Sequence, residues 1–555
     1  MLDDYPRPQL VRNSYLSLNG EWEYAISKSS DIPSIFPDTV IVPYSLECKI
    51  NDEKHVLQPD EYLFYHKELN LPYGFIKDKL ILHFTAVDQI ADVFINGKLV
   101  MSHEGGFLPF EMDIKPYLKN ANELVVRVRD FTDTSYLSRG KQKLDHGKIW
   151  YTPQSGIYQP VWLESVTEDY IQDIHIIPDI DKSLISIKVT AKAETIKMEI
   201  EDREVDLVPN QYQDVDINEV KLWSPEFPYL YPIKLSTKND TVTSYFAMRK
   251  FSRDFDGHHY RFFLNNKPYF IKGVLDQGYY KNGLLTPESD GDYTKDILLM
   301  KNLGFNTLRK HIKIESLRWY HHCDRLGMLV IQDFVNGGSK YHFRNIALPL
   351  ITGVHHRDNR YKRFSRENEE GRKKARQEYR DTINYLKNVP SIGVWTIFNE
   401  GWGQFDSKDI YKELVRMDNS RLYDHASGWH DQKVSDFKSM HVYFKKFRMP
   451  LIWDIKNRIV LLSECGGYNL TIPGHESENN YGYKKMMSKD ELMNRYEKFI
   501  DREIIPNYKK GLSGFIYTQL SDVEDECNGF VTFDREAIKV DVARIKAIND
   551  KITKN

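Results

Sequence analysis

The chain has 555 residues, 77 Lys plus Arg against 80 Asp plus Glu, and 41% hydrophobic residues. That length exceeds what one core usually supports and predicts about three domains, while the apolar content excludes wholesale disorder. A net charge of −3 offers no field to nucleic acid or to an anionic membrane. The four cysteines, Cys48, Cys323, Cys465 and Cys527, show neither metal nor disulfide spacing. The opening residues Met1-Leu-Asp-Asp-Tyr-Pro6 contain no apolar signal core, and no stretch is long enough to span a bilayer. A cytoplasmic setting is the expectation.

In chain order, residues 1–166 read as an all-β sandwich. Alternating runs such as Leu80–Phe84, Ala91–Ile95 and Glu123–Arg129 are separated by turn signals at Asn96-Gly97 and Glu104-Gly-Gly106. Residues 167–256 are again strand-like, with Ile185–Val189 and Met198–Ile200, and their length suits an immunoglobulin-like sandwich. From 257 to 555 strand candidates alternate with helical stretches. The strands are Tyr269–Val274, Phe305–Arg309, Met328–Asp333, Ile392–Glu400, Leu422–Ser427, Ser439–Tyr443, Ile459–Glu464 and Gly514–Gln519. Helical patterns at Tyr293–Leu303 and Ser316–Leu326 lie between them, and eight such strands predict a closed (β/α)8 TIM barrel. The basic stretch Arg357–Arg380 is interspersed with Asp and Glu, which predicts a solvated helix face rather than a polyanion patch.

Two carboxylates stand where apolar strands run out: Glu400 after Ile392-Gly-Val-Trp-Thr-Ile-Phe-Asn399, and Glu464 in Ser463-Glu464-Cys-Gly-Gly467. Parallel barrels carry their chemistry at the carboxyl ends of strands. A glutamate after a strand is usually a cap or an ion-pair partner. Two of them, on strands four and seven, face each other across a barrel mouth. They can then approach to about 5–5.5 Å, the separation of retaining glycosidases. One carboxyl must be protonated to assist departure of the leaving oxygen, and the other ionised to supply electron density to the anomeric carbon. Glu464 has small neighbours and suits the nucleophile; Glu400, preceded by Asn399, suits the acid/base.

Several segments carry a resemblance: Pro8-Gln-Leu-Val-Arg-Asn-Ser14, Leu18-Asn-Gly-Glu-Trp22, Phe94-Ile-Asn-Gly97, Ser155-Gly-Ile-Tyr-Gln159, Val161-Trp-Leu-Glu164, Gly304-Phe-Asn-Thr-Leu-Arg309, Cys323-Asp-Arg-Leu-Gly-Met328, Asn399-Glu400 and Ser463-Glu464. In that order they resemble glycoside hydrolase family 2, the β-galactosidase, β-glucuronidase and β-mannosidase group, along essentially the whole chain. The resemblance implies a multidomain chain with a jelly-roll sugar-binding domain, an immunoglobulin-like domain and a catalytic barrel. It also implies retention, with Glu400 as acid/base and Glu464 as nucleophile.

Further candidates for substrate binding follow. Arg309 matches a family arginine that supports the nucleophile. The family has two residues between this arginine and a histidine, whereas Arg309-Lys310-His311 has one, so His311 is expected to sit differently. Tyr443 matches a position from which relatives hydrogen-bond the nucleophile. Asp276 and Gln277 after strand one, and Asp333 closing strand three, either bind sugar hydroxyls or cap helices. Trp402 and Trp429 either stack on a sugar face or pack. The pairs His258-His259, His321-His322 and His355-His356 lack the spacing of a helical metal site. No metal or other cofactor is expected, although some β-galactosidases of the family use magnesium near the site. Whether the chain forms a homo-oligomer stays open.

The sugar is read from one motif. Glucuronidases of the family recognise the substrate carboxylate with an Asn-x-Lys pair just before a Gly-x-x-Thr-x-Asp-Arg stretch. That stretch is Gly529-Phe-Val-Thr532-Phe-Asp534-Arg535 here, and the pair is replaced by Glu526 and Asn528. With no lysine facing the substrate, a neutral sugar is expected: β-galactoside first, on family frequency, and α-L-arabinopyranoside second. The alternatives are a β-glucuronidase or β-galacturonidase, or a carbohydrate-binding protein without activity.

Overall fold

Strands of alternating burial build two sandwiches ahead of the barrel. The computed structural model describes residues 5–341, 349, 353–475, 477 and 479–552. In the first sandwich a six-stranded sheet runs in the order Asp38–Val42, Gly20–Ser27, Tyr62–Glu68, Glu123–Arg129, Ile90–Ile95, Lys98–Glu104. It packs on a four-stranded sheet of Tyr15–Ser17, Val161–Val166, Lys79–Phe84 and Phe110–Asp113. Trp22, Tyr65, Leu82, Phe84, Val93 and Val126 fill the space between. The Asn96-Gly97 turn takes φ of 52° and 77°, the left-handed pair that a two-residue hairpin needs.

The second sandwich sets Ile171–Asp179, Leu184–Ala191 and Gln213–Asp216 against Arg203–Leu207, Ile196–Ile200, Tyr231–Ser236 and Thr241–Phe246. Every second residue of Leu184–Ala191 is buried, as a half-buried strand requires. Residues of three family-like segments, Arg12, Glu164 and Asp324, tie the units together. Arg12 pairs with Glu164 of the first sandwich, and its Nη2 lies 2.8 Å from Asp240 of the second. Asp324 of the barrel accepts hydrogen bonds from Tyr245 Oη (2.8 Å) and Ser391 N (2.9 Å).

All eight predicted barrel strands are present: β1 Ile271–Asp276, β2 Thr307–Lys310, β3 Leu329–Asp333, β4 Ile392–Thr396, β5 Leu422–Asp424, β6 Phe437–Val442, β7 Ile459–Gly466 and β8 Leu512–Thr518. They form one parallel sheet in the order 5-4-3-2-1-8-7-6, and among the described residues no ladder pairs β5 with β6. The strands are buried on both faces, which is why they read as continuous apolar runs. A hairpin of Phe251–Phe255 and Tyr260–Leu264 plugs the amino-terminal end, packing Phe251, Phe262 and Leu264 on Ile271, Leu329 and Ile516.

The two predicted helices form as α1, Asp290–Asn302, with Ser289 and Asp292 in a capping box, and α2, Leu317–Leu326, capped by Ser316. The strand expected over Ile392–Glu400 stops at Thr396. Glu400 adopts φ of 51°, a left-handed conformation outside any ladder, and only irregular bonds to the segment after β5 continue the pairing. Likewise Leu422–Ser427 shortens to Leu422–Asp424. The basic stretch is only partly a helix face. Helix α3 begins at Glu369 and runs to Leu386, and upstream of it Arg366 is buried and donates from Nε to Gly403 O at 2.9 Å. Among the described residues no helix is long and apolar enough to cross a membrane.

Candidate active site

Arg309, at the end of β2, organises the carboxyl-terminal mouth of the barrel. Its guanidinium is 1% exposed and reaches β3, β7 and the segment after β4 at once. Nη1 donates to Glu464 Oε1 at 3.0 Å and to Ser463 O at 3.0 Å, Nε to Asp333 Oδ1 at 2.9 Å, and Nη2 to Asn399 Oδ1 at 2.8 Å. The planar fork of arginine suits this multiple contact where a lysine would not. The other oxygen of Glu464 accepts from the Tyr443 hydroxyl. The Tyr443 ring is stacked on Tyr483, with centroids 4.0 Å apart and 9° between planes.

Glu400 is held by different neighbours. Its amide N–H donates to Ser427 O at 2.9 Å, and its carbonyl accepts from Trp429 Nε1 at 2.9 Å. Gly401 and Gly403 follow with φ of 74° and 62°, so the chain turns sharply into the mouth. His441 of β6 stands between the glutamates, with Nδ1 2.8 Å from Glu400 Oε1 and Nε2 3.5 Å from Glu464 Oε1. One carboxylate oxygen of each glutamate and a His441 nitrogen all lie within 4.8 Å of one another.

The two carboxyls are driven in opposite directions. Burial pushes Glu400 above its ordinary value, and the hydrogen bond from His441 opposes this only in part. Burial also raises Glu464, but the charges of His441, Arg309 and His311 and the Tyr443 hydrogen bond outweigh it and bring it down to about 2. Of these groups Arg309 stays charged at every relevant pH, whereas burial favours neutral His311. The trio Glu400, His441 and Glu464 has metal-like spacing. Arg309 and Tyr443 already donate to the two Glu464 oxygens.

The remaining sequence candidates divide. His311 joins the network, with Nδ1 2.8 Å from Asp333 Oδ2, so Asp333 positions both Arg309 and His311. Trp402 is buried 6.2 Å from His311 between Trp150 and Tyr341, and Trp429 packs on His441. Gln277 Nε2 donates to Gln519 Oε1 at 2.7 Å, leaving Gln277 Oε1 and Gln519 Nε2 without hydrogen-bond partners among the described residues. Asp276 is held by other partners. It accepts from Gly278 N at 2.8 Å and pairs with the buried Lys310 at 2.7 Å, which makes it a turn cap and a counter-ion.

Sequence reasoning passed over His441, Tyr483 and Lys141. His441 lies two residues before Tyr443 in a segment already singled out, so its signal was present. Lys141 comes from the first sandwich and puts beside Glu526 a lysine that the motif around residues 526 and 528 does not contain. Glu526 is buried, accepts from Tyr151 Oη at 2.6 Å, and lies 3.5 Å from Lys141 Nζ.

The family model for glycosyl hydrolases family 2, sugar binding domain, matches residues 15–166. The glycosyl hydrolases family 2 model matches 169–249, and its TIM barrel domain 258–511. A β-galactosidase of Thermoanaerobacter pseudethanolicus is 25% identical over 66% of this chain and 49% of its own length. A β-glucuronidase of Streptococcus agalactiae is 24% identical over 74% of this chain and 71% of its own. The chain spans about half the length of the β-galactosidases of T. pseudethanolicus and Halalkalibacterium halodurans. Among solved structures, the β-D-glucuronidase of Dictyoglomus thermophilum superposes with a TM-score of 0.76 at 18% identity, covering 100% of this chain and 99% of that one. The galacturonate-bound β-galacturonidase of Eisenbergiella tayi gives 0.72 at 18%, covering 99% of each. At such identities these two likenesses speak for the fold alone.

Proposed function

Because the chain belongs to glycosyl hydrolases family 2, we propose that it is a retaining exo-β-glycosidase in which Glu464 is the nucleophile and Glu400 the acid/base. The observation that carries this reading is the close approach of two carboxyls, buried Glu464 and half-buried Glu400, with one oxygen of each within 4.8 Å and opposite protonation preferences. A retaining displacement has room for the sugar but none for a water between carboxyls, and it needs one acid and one anion. Ionised Glu464, held by Arg309 and Tyr443, attacks the anomeric carbon. Protonated Glu400 gives its proton to the departing glycosidic oxygen. The resulting glycosyl ester on Glu464 is then hydrolysed by a water that Glu400, now ionised, deprotonates. Asn399, whose carbonyl oxygen is taken by Arg309, keeps its amide NH2 for the sugar 2-hydroxyl.

The unit boundaries we assign are 1–166, 167–256 and 257–555, with the barrel carrying the chemistry. The substrate is a neutral sugar, β-galactoside first and α-L-arabinopyranoside second. Near the site, Glu464, Asp333 and Glu526 stand against Arg309 and Lys141, a balance that leaves no uncompensated cation for a uronate. A uronide reading has one observation in its favour, the positive charge of Lys141 at the mouth. Comparing kcat/KM on nitrophenyl β-galactoside, α-L-arabinopyranoside, β-mannoside, β-glucuronide and β-galacturonide tests both. Turnover of none of them by folded enzyme overturns the glycosidase reading, and preference for a uronide overturns the neutral sugar.

A further inference from the structure

The chain leaves the first sandwich at Arg129 and rejoins it only at Gly156, crossing the barrel mouth on the way. This strap is anchored at both ends to segments that follow barrel strands. Arg139 N–H donates to Asn336 O at 2.8 Å after β3. Lys148 N donates to Asp525 Oδ2 at 3.1 Å and Thr152 N to Glu524 Oε1 at 2.9 Å, both after β8. Trp150 meets Trp402 at 5.1 Å between ring centroids. The strap is therefore fixed relative to the glutamates and forms part of the wall around them.

At its centre are Lys141, 6% exposed, and Gln142, 3% exposed. Lys141 Nζ is 3.3 Å from Tyr151 Oη and 3.5 Å from Glu526 Oε2, long contacts that leave much of its three-proton donor capacity unused. Its neighbour Gly140 backs onto Ile312 O, 3.3 Å from the Gly140 Cβ position, which sets the segment of the lysine against the residue after His311. Both amide atoms of Gln142, and Oδ1 of Asn528, whose Nδ2 donates to Glu526 Oε1 at 3.2 Å, have no hydrogen-bond partner among the described residues. Buried polar atoms without partners are costly, and a polyhydroxylated ligand supplies the partners they lack.

We propose that the Lys141–Glu526 pair is the sugar-selecting element of this site: Lys141 and Gln142, delivered by the N-terminal sandwich, and Glu526, on the loop after β8, hydrogen-bond hydroxyls of a neutral sugar, while Glu526 holds the lysine charge and repels a sugar carboxylate. This rests on the proposed glycosidase function and names the feature that selects its substrate. The pair offers donors on one side and acceptors on the other, which matches hydroxyl groups that do both. A uronate would meet the Glu526 carboxylate at short range in a poorly solvated pocket.

The test compares wild type, Glu526→Gln, Lys141→Met and the double variant. Within each preparation the ratio of kcat/KM on nitrophenyl β-galacturonide to that on β-galactoside is measured, a quantity independent of the folded fraction. Glu526→Gln is expected to raise this ratio about tenfold or more, because Lys141 is left with no anion. Lys141→Met is expected to lower kcat/KM on the best neutral sugar by about tenfold without raising the ratio, and the double variant to lose the gain. Thermal shift with D-galacturonate and D-galactose repeats the comparison without turnover. Absent turnover, with the expected binding shift present, would sink the glycosidase reading and leave the pair intact. An unchanged ratio and unchanged binding preference in Glu526→Gln, or unchanged neutral-sugar kinetics and binding in Lys141→Met, would overturn the pair.

Discussion

His441 Nδ1 lies 2.8 Å from Glu400 Oε1. The same ring reaches the other glutamate, Nε2 being 3.5 Å from Glu464 Oε1. One side chain therefore biases both carboxyls toward their ionised forms, against the burial that raises them. The active form in the proposed mechanism requires Glu464 ionised and Glu400 protonated. The acidic limb of kcat/KM then follows Glu464 and the alkaline limb Glu400. In His441→Phe both groups lose a stabiliser of their anions, so both limbs are expected to move to higher pH. A pH profile whose alkaline limb stays in place or falls would show that His441 does not act on Glu400.

Glu464→Gln removes the proposed nucleophile while keeping a side chain for Arg309 to bind. Turnover is expected to fall by about a thousandfold or more, since no covalent route remains. The variant also bears on stability. The Glu464 carboxyl is depressed to about 2 in the folded chain. Its contribution is thus fully present above its unfolded value near 4.5 and is lost as pH falls through about 2. The difference in thermal midpoint between wild type and variant should therefore shrink on going from pH 7 toward pH 3. A difference that grows on acidification would contradict the depressed state.

Glu400→Ala separates the two chemical steps. An aryl leaving group of low pKa needs little proton assistance, so activity should survive better on dinitrophenyl than on alkyl glycosides. Azide can enter the vacated space and attack the glycosyl ester, giving a β-glycosyl azide. Equal losses across leaving groups, together with no azide product, would remove Glu400 from the acid/base role.

Much of this arrangement was legible in the amino-acid order, for a physical reason. Strands buried on both faces must be apolar throughout, so runs such as Ile459–Leu462 and Leu329–Ile331 announce themselves, and the polar residues that end them mark the mouth. The end of β4 was misread because Ile397 and Phe398 are as apolar as a strand interior, although the chain is already turning toward left-handed Glu400. Asp276 looked like Asp333 in sequence, and only the position of Lys310 makes it a counter-ion. Lys141 was invisible because periodicity carries no information on which residue of a distant sandwich loop reaches Glu526, almost four hundred positions later.

Asp324 tests how the units are joined. Its carboxylate, fully buried, accepts from Tyr245 of the second sandwich and from Ser391 N just before β4. Asp324→Ala orphans both donors and is expected to cost about 2–4 kcal/mol. Asp324→Asn retains an acceptor for the Ser391 amide and is expected to cost clearly less. Denaturant midpoints of the two variants make the comparison, and equal losses would mean that side-chain volume rather than hydrogen bonding matters there.

The stereochemical outcome is the strictest check on the geometry. An inverting enzyme keeps its carboxyls about 6.5–9.5 Å apart to admit a water on the far face of the sugar, whereas a retaining one brings them to about 5–5.5 Å. Here one oxygen of each glutamate falls within 4.8 Å, with His441 inserted between them and Arg309 fixing Glu464 from behind. In the proposed mechanism no water stands between the sugar and Glu464, and the first displacement is made by the carboxylate itself. Two inversions at the anomeric carbon restore its configuration. Proton NMR of the earliest product from a β-glycoside is therefore expected to show the β-anomer, with the α-anomer growing in only by mutarotation. If the α-anomer comes first, the role given to Glu464 fails together with the carboxyl separation on which it stands.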